Sequence, residues 1–213
     1  MAKYIILGAG GFGRELGEYL QDCLRDGALS GEFLGYLDDT IPAGALTKMG
    51  DKVLGPITSE ALVPDVKFLI GLGDPSSRSE IFCVYKKKGA SFETLVHPSA
   101  YNSSSSVIGE GGILCPYSFV GSCAKLKQNC LLNIYASVGH DCKLGDSSVL
   151  SPYATLNGNV TLNKLCFLGT KAVVTKGCTV GEFSKISSAA VVYNDLPDHS
   201  LAFGNPARMK KTI

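Results

Sequence analysis

From residue 96 to residue 192 the chain keeps a strict six-residue period. Reading every sixth residue from Val96 to Val192 gives an aliphatic side chain at sixteen of seventeen positions, the exception being Asn102. Four residues after each of the first sixteen stands a small residue, from Ala100 to Ala190, with only Val160 larger. Gly often follows the aliphatic directly, at 109, 121, 139, 145, 169 and 181. An α-helix repeats its face every 3.6 residues and a strand every two, so neither produces this period. A hexapeptide-repeat parallel β-helix does. Each hexapeptide is then one short flat strand and one turn, and three make a triangular coil of eighteen residues. The aliphatic side chain points to the narrow axis and the small one fits the corner. The run is long enough for roughly five coils. The period gives the architecture but not its hand.

Composition agrees with a packed, turn-rich protein. Hydrophobic residues are 45% and charged residues only 18%, with 25 glycines among 213 residues. Twenty Lys and Arg against nineteen Asp and Glu give no electrostatic case for nucleic acid or an anionic membrane. The opening MAKYIILGAG lacks a secretory pattern, and no apolar run approaches about 18 residues, so no membrane span is expected. Eight cysteines show no CxxC pair and no metal-type spacing. A cytoplasmic setting with reduced thiols, and no metal, is the expectation. Cys130, Cys142, Cys166 and Cys178 occupy the small-residue register, where they read as inert packing.

Residues before the repeat read as a small α/β unit. Strands are expected at Lys3–Leu7, Glu32–Leu37, Phe68–Leu72 and Ser91–Val96, with helices over Arg14–Arg25 and Ser76–Lys88. Between the first strand and helix lies Gly8-Ala-Gly-Gly-Phe-Gly13, a G-x-G-x-x-G pattern. In that setting a helix N-terminus can hold phosphate, or the glycines can serve only a tight turn. Asp38 follows 25 residues after Gly13, near the place of a ribose-binding acid. About 90 residues cannot supply both mononucleotide halves of a dinucleotide site, so a single nucleotide fits better.

The hexapeptide run followed by Gly204-Asn-Pro-Ala-Arg208 resembles the left-handed β-helix acyltransferases. With a preceding GAGGFG domain, the whole chain resembles the sialic acid O-acetyltransferase (NeuD-type) family and its PglD-type nucleotide-sugar N-acetyltransferases. The stretch Leu132–Asp146, which contains Val-Gly-His-Asp-Cys, matches that family's block around its catalytic histidine, and Asn157–Val160 and Phe167–Gly169 match further blocks. The resemblance implies three parts: a nucleotide-sugar-binding α/β domain over 1–92, a left-handed β-helix acetyltransferase domain over 93–205, and a tail over 206–213. It also implies a homotrimer with acetyl-CoA between neighbouring helices.

The same resemblance implies roles for individual residues. His140 would be the general base, although a lone exposed histidine has an ordinary surface reading. Asp141 would orient it, or be a solvated turn residue. Asn133 would orient substrate or cap a turn. Gly158, eighteen residues beyond His140, would offer its N–H to the oxyanion or be plain turn geometry. Acetyl-CoA contacts fall at Val149, Thr170 and Ser188, with Val149 replacing a histidine of some members. Ala9, Gly10, Gly11, Asp38 and Asp39 fall at the nucleotide-sugar site, with Gly73 and Arg78 as weaker candidates. His97 reads as a junction residue, and His199 has no clear role.

The leading expectation is therefore transfer of acetyl from acetyl-CoA to the amino group of a UDP- or GDP-linked deoxyaminosugar, by direct attack in a ternary complex. O-acetylation of sialic acid or another glycan hydroxyl is the alternative within the class. A non-catalytic nucleotide-sugar-binding trimer is the alternative outside it. The sugar, and the choice among UDP, GDP and CMP, are not legible in the sequence.

Overall fold

A computed structural model describes residues 1–58 and 65–211. The N-terminal half is a parallel sheet flanked by two helices. Its strands are β1 (Ala2–Leu7), β2 (Gly31–Leu37), β3 (Val53–Gly55), β4 (Val66–Ile70) and β5 (Ser91–Phe92), ordered β3-β2-β1-β4-β5. Helix α1 (Gly11–Asp26) follows β1 and α2 (Pro75–Lys87) follows β4. Strand alternation sends Ile6 to one face and Ile5 and Leu7 to the other. Leu16 and Leu20 of α1 pack on the Ile6 face, and Phe82 and Tyr85 of α2 on the opposite one. Asp74 caps α2, its carboxylate accepting from Ser77 N at 2.9 Å.

Two expectations change here. Strand β3 is three residues, Val-Leu-Gly, too short to stand out as a pattern. The run 91–96 is not one strand. Ser91–Phe92 closes the first sheet, and Leu95–Val96 opens the next structure.

That structure is a parallel β-helix of two-residue strands. The first face runs from Leu95–Val96 up to Ser200–Phe203, and the second from Tyr101–Asn102 to Val191–Val192. The third runs from Val107–Ile108 to Thr179–Val180. Within these bounds the faces hold seven, six and five parallel strands, against the roughly five coils expected. Ladder partners lie eighteen residues apart, as in Leu132 opposite Leu150. The axial aliphatics from Leu114 to Val192 are buried. Arg208–Lys211 is not a loose tail: it pairs antiparallel with Ser200–Phe203.

Corners obey one backbone rule. From Ile108 to Ile186 the third residue after the axial aliphatic takes positive φ, whether it is Tyr117, Asn129, Asp141, Leu165 or Ala189. The small register also has a task beyond fitting. Cys130, Cys142 and Cys166 donate to the carbonyls of Gly145, Asn157 and Gly181 at 3.3, 3.0 and 3.1 Å, and Ser148 to that of Asn163 at 2.9 Å. Each thiol or hydroxyl thereby satisfies a corner carbonyl of the next coil. Burial pushes the Cys130 and Cys166 thiols up to about 12, so they stay protonated and unreactive.

The halves dock along the first face. Leu95, Ile113, Leu131 and Val149 point out of the β-helix into a core shared with Leu16, Leu20 and Cys23 of α1. Beside that core His97 Nε2 lies 3.2 Å from Asp22 of α1, so His97 is a junction residue.

Candidate active site

His140 stands at the corner between the second and third faces, directly after Gly139. Glycine is needed before it because the coils touch there. A Cβ on Gly139 would lie 2.8 Å from Gly158 N, and one on Gly121, a coil below, 2.8 Å from His140 N. The imidazole lies against the bare α-carbon of Gly158. A Cβ on Gly158 would fall 2.6 Å from His140 Cε1 and closer still to Nε2. On its other side the ring meets Asp141, with Nδ1 2.7 Å from Oδ2. An ionised carboxylate only accepts, so Nδ1 carries a proton, and in the neutral imidazole Nε2 then keeps its lone pair. Both side chains are more than half exposed. The free nitrogen therefore faces open space beside a glycine, the arrangement a proton acceptor requires. Gly158 N makes no hydrogen bond among the described residues, leaving a donor within the same notch.

Other expected residues do not gather here. Asn133 sits at the preceding corner, where its Oδ1 accepts from Ile134 N at 2.7 Å and caps the turn. Thr170 and Ser188 are exposed on that same corner, one coil apart. Val149 is a correction. It is 2% exposed in the core shared with α1, so its side chain faces the N-terminal half and not a groove for acetyl-CoA.

A second site forms at the carboxyl ends of β1, β2 and β4. Gly10 precedes α1 with no side-chain cap, so the first helical N–H groups are free for an anion. Nothing lies within 4 Å of a Cβ placed on Gly10, Gly11 or Gly73, so a ligand has access there. Beneath, Gly8, Gly13 and Gly71 cross too closely for side chains: a Cβ on Gly71 would lie 2.7 Å from the Gly13 α-carbon.

Asp38 is already engaged within the fold. Its Oδ2 accepts from Ala9 N at 2.8 Å, while Oδ1 accepts from Thr40 Oγ1, Thr40 N and Ile41 N at 2.6, 2.8 and 3.1 Å. Partial burial pushes its pKa up, but these donors outweigh it and hold the carboxyl below its ordinary range. It is a bracket for the glycine loop. Asp39 accepts from Ile57 N at 2.8 Å and lines a cavity of about 550 Å³ with Leu72, Ser77 and Glu80.

Arg78 is the other correction. It is completely buried and cannot touch a substrate. Its guanidinium donates to the carbonyls of Ile70 and Leu72 at 2.7 and 3.0 Å, and to the Asn129 carbonyl and Oδ1 at 3.1 and 2.8 Å. The sequence held no mark of Asn129 and Ser147 as its supports.

Comparison with known proteins supplies the context. Residues 3–85 match the family model of the PglD N-terminal domain. The acetyltransferase domain of PglB from Neisseria gonorrhoeae FA1090 superposes with a TM-score of 0.91 at 28% identity, over 99% of this chain and all of that one. The chain is similar to PglD-type proteins. The PglB domain has also been solved with acetyl coenzyme A, and PerB from Caulobacter crescentus with CoA and GDP-perosamine. PerB matches this chain with a TM-score of 0.88 at 28% identity, over 99% of this chain and 98% of PerB. The UDP-N-acetylbacillosamine N-acetyltransferase of Bacillus subtilis (strain 168) is 45% identical over 53 residues, which span about a quarter of either chain. Among the described residues no helix is long and apolar enough to cross a membrane.

Proposed function

We propose that this chain is an acetyl-CoA-dependent N-acetyltransferase acting on a nucleotide-linked amino sugar. The observation that carries the reading is the His140–Asp141 pair with Nε2 free against Gly158. The amine nitrogen attacks the thioester carbonyl in a ternary complex, forming the C–N bond as His140 Nε2 takes the proton. The Gly158 N–H supports the oxyanion. Collapse breaks the C–S bond, and the imidazolium returns its proton to the CoA thiolate. Asp141 holds the tautomer throughout.

The uncapped N-terminus of α1, with Ala9, Gly10 and Gly11, receives the diphosphate of the acceptor, and Asp39 lies beside its nucleoside. Thr170 and Ser188 contact acetyl-CoA across a homotrimer interface, in a cytoplasmic enzyme. The complexes of PerB with GDP-perosamine and of PglB with acetyl-CoA support the choice of substrates.

A panel of UDP-, GDP- and CMP-linked amino sugars with acetyl-CoA, read by mass spectrometry and free-thiol release, tests the reading. Thiol release and a mass gain of one acetyl group on a nucleotide-linked amine are expected. Acetylation of a glycan hydroxyl alone would favour the O-transfer alternative, and no turnover at all would favour a binding protein.

A further inference from the structure

A fully buried guanidinium with no carboxylate in contact is costly unless every donor is directed. Arg78 meets that condition with carbonyls from both halves of the molecule. On one side it grips Ile70 and Leu72, which flank Gly71. Gly71 in turn packs on Gly8 and Gly13, the two ends of the glycine loop. On the other side it grips Asn129, whose Nδ2 donates to Ser147 Oγ at 2.9 Å, eighteen residues on. Those eighteen residues are one coil, and His140 lies within it. Burial pulls the Arg78 pKa down to about 10, which leaves it protonated at neutral pH.

We propose that Arg78 is a positioning residue: through Asn129 and Ser147 it fixes the glycine loop of the N-terminal half against the coil that carries His140. This rests on the reading given under Proposed function. If the loop holds the diphosphate and the coil holds the base, the acceptor amine reaches Nε2 only when the two are in fixed register. A misplacement of about 1 Å at a reacting centre can cost on the order of a hundredfold in rate. The ligand sites themselves do not include Arg78, so binding of each substrate part survives its loss.

The test uses the full-length protein with Arg78→Met, which keeps the volume and removes the donors. Affinities for UDP, GDP and acetyl-CoA are measured by calorimetry, and kcat on the nucleotide-linked amino sugar that the wild type acetylates. The expected result is affinities within about twofold of wild type and kcat at least tenfold lower. Because Arg78→Met risks misfolding, Asn129→Ala is run in parallel. Alanine occupies the same hexapeptide position, also at positive φ, at Ala189, so the backbone tolerates it. It should lower kcat about threefold or more with affinities unchanged. Wild-type kcat in a folded variant would overturn the proposal. So would a loss of affinity and kcat in step, which marks a merely structural role. A wild-type protein inactive on every nucleotide-linked amino sugar would instead overturn the functional reading, and this inference with it.

Discussion

His140→Ala removes the imidazole whose Nε2 lies against Gly158. It should lower kcat by roughly 10²–10⁴-fold, with acetyl-CoA affinity retained in calorimetry. Asp141→Asn should cost less, because the amide still meets Nδ1 but no longer stabilises the imidazolium. The candidate base was legible because it is the only histidine within the regular coils and lies in a distinctive block. Asp38 was legible as important, but nothing in the sequence reveals that four donors converge on its two oxygens. Its folded pKa lies below the unfolded value, so its contribution is complete above about pH 5 and is lost as pH falls through the folded pKa. The gap in melting temperature between wild type and Asp38→Asn should accordingly be widest near neutrality and shrink towards pH 3. A pH-independent gap would refute that assignment.

Among the elements, the coils announced themselves because each hexapeptide repeats the same burial task. Their thiols did not disclose that they act as donors. Cys166→Ser should keep the bond to the Gly181 carbonyl, as Ser148 makes the equivalent one to Asn163, and leave stability nearly unchanged. Cys166→Val should lose about 1 kcal/mol or more in denaturant unfolding, because a buried carbonyl is orphaned. The start of α1 offers a cleaner test of ligand binding. Gly10 has φ −64 and open space around its α-carbon, so Gly10→Val should fold normally. It should raise KM for the nucleotide sugar strongly and leave KM for acetyl-CoA nearly unchanged. An unaltered KM for both would reduce the glycine loop to a turn. Strand β3 escaped notice because three residues carry no period, and Val149 misled because the docking of α1 leaves no trace in the repeat that it covers.

At the scale of the whole molecule, the exposed His140–Asp141 pair and the exposed Thr170 and Ser188 stand on different corners of one chain. A neighbouring copy is expected to bring them together as a threefold assembly. Light scattering should give a trimer, and a fully active monomer would refute it. How the two halves meet was the least legible part, since Arg78 finds Asn129 across 51 residues through carbonyl groups that every residue possesses. The ladder spacing has one more consequence. Rungs in a sheet lie about 4.8 Å apart, so the β-helix works as a ruler whose graduations are whole coils. Inserting eighteen residues below His140 would slide the histidine one graduation along the axis while keeping it on the same corner. An insertion that is not a whole multiple of eighteen would turn it to a different corner or break the stack. Along the helix axis, the distance from the glycine loop to His140 can therefore change only in whole steps. Lineages that kept this architecture would have had to fit longer or shorter acceptors by altering the loops of the N-terminal half.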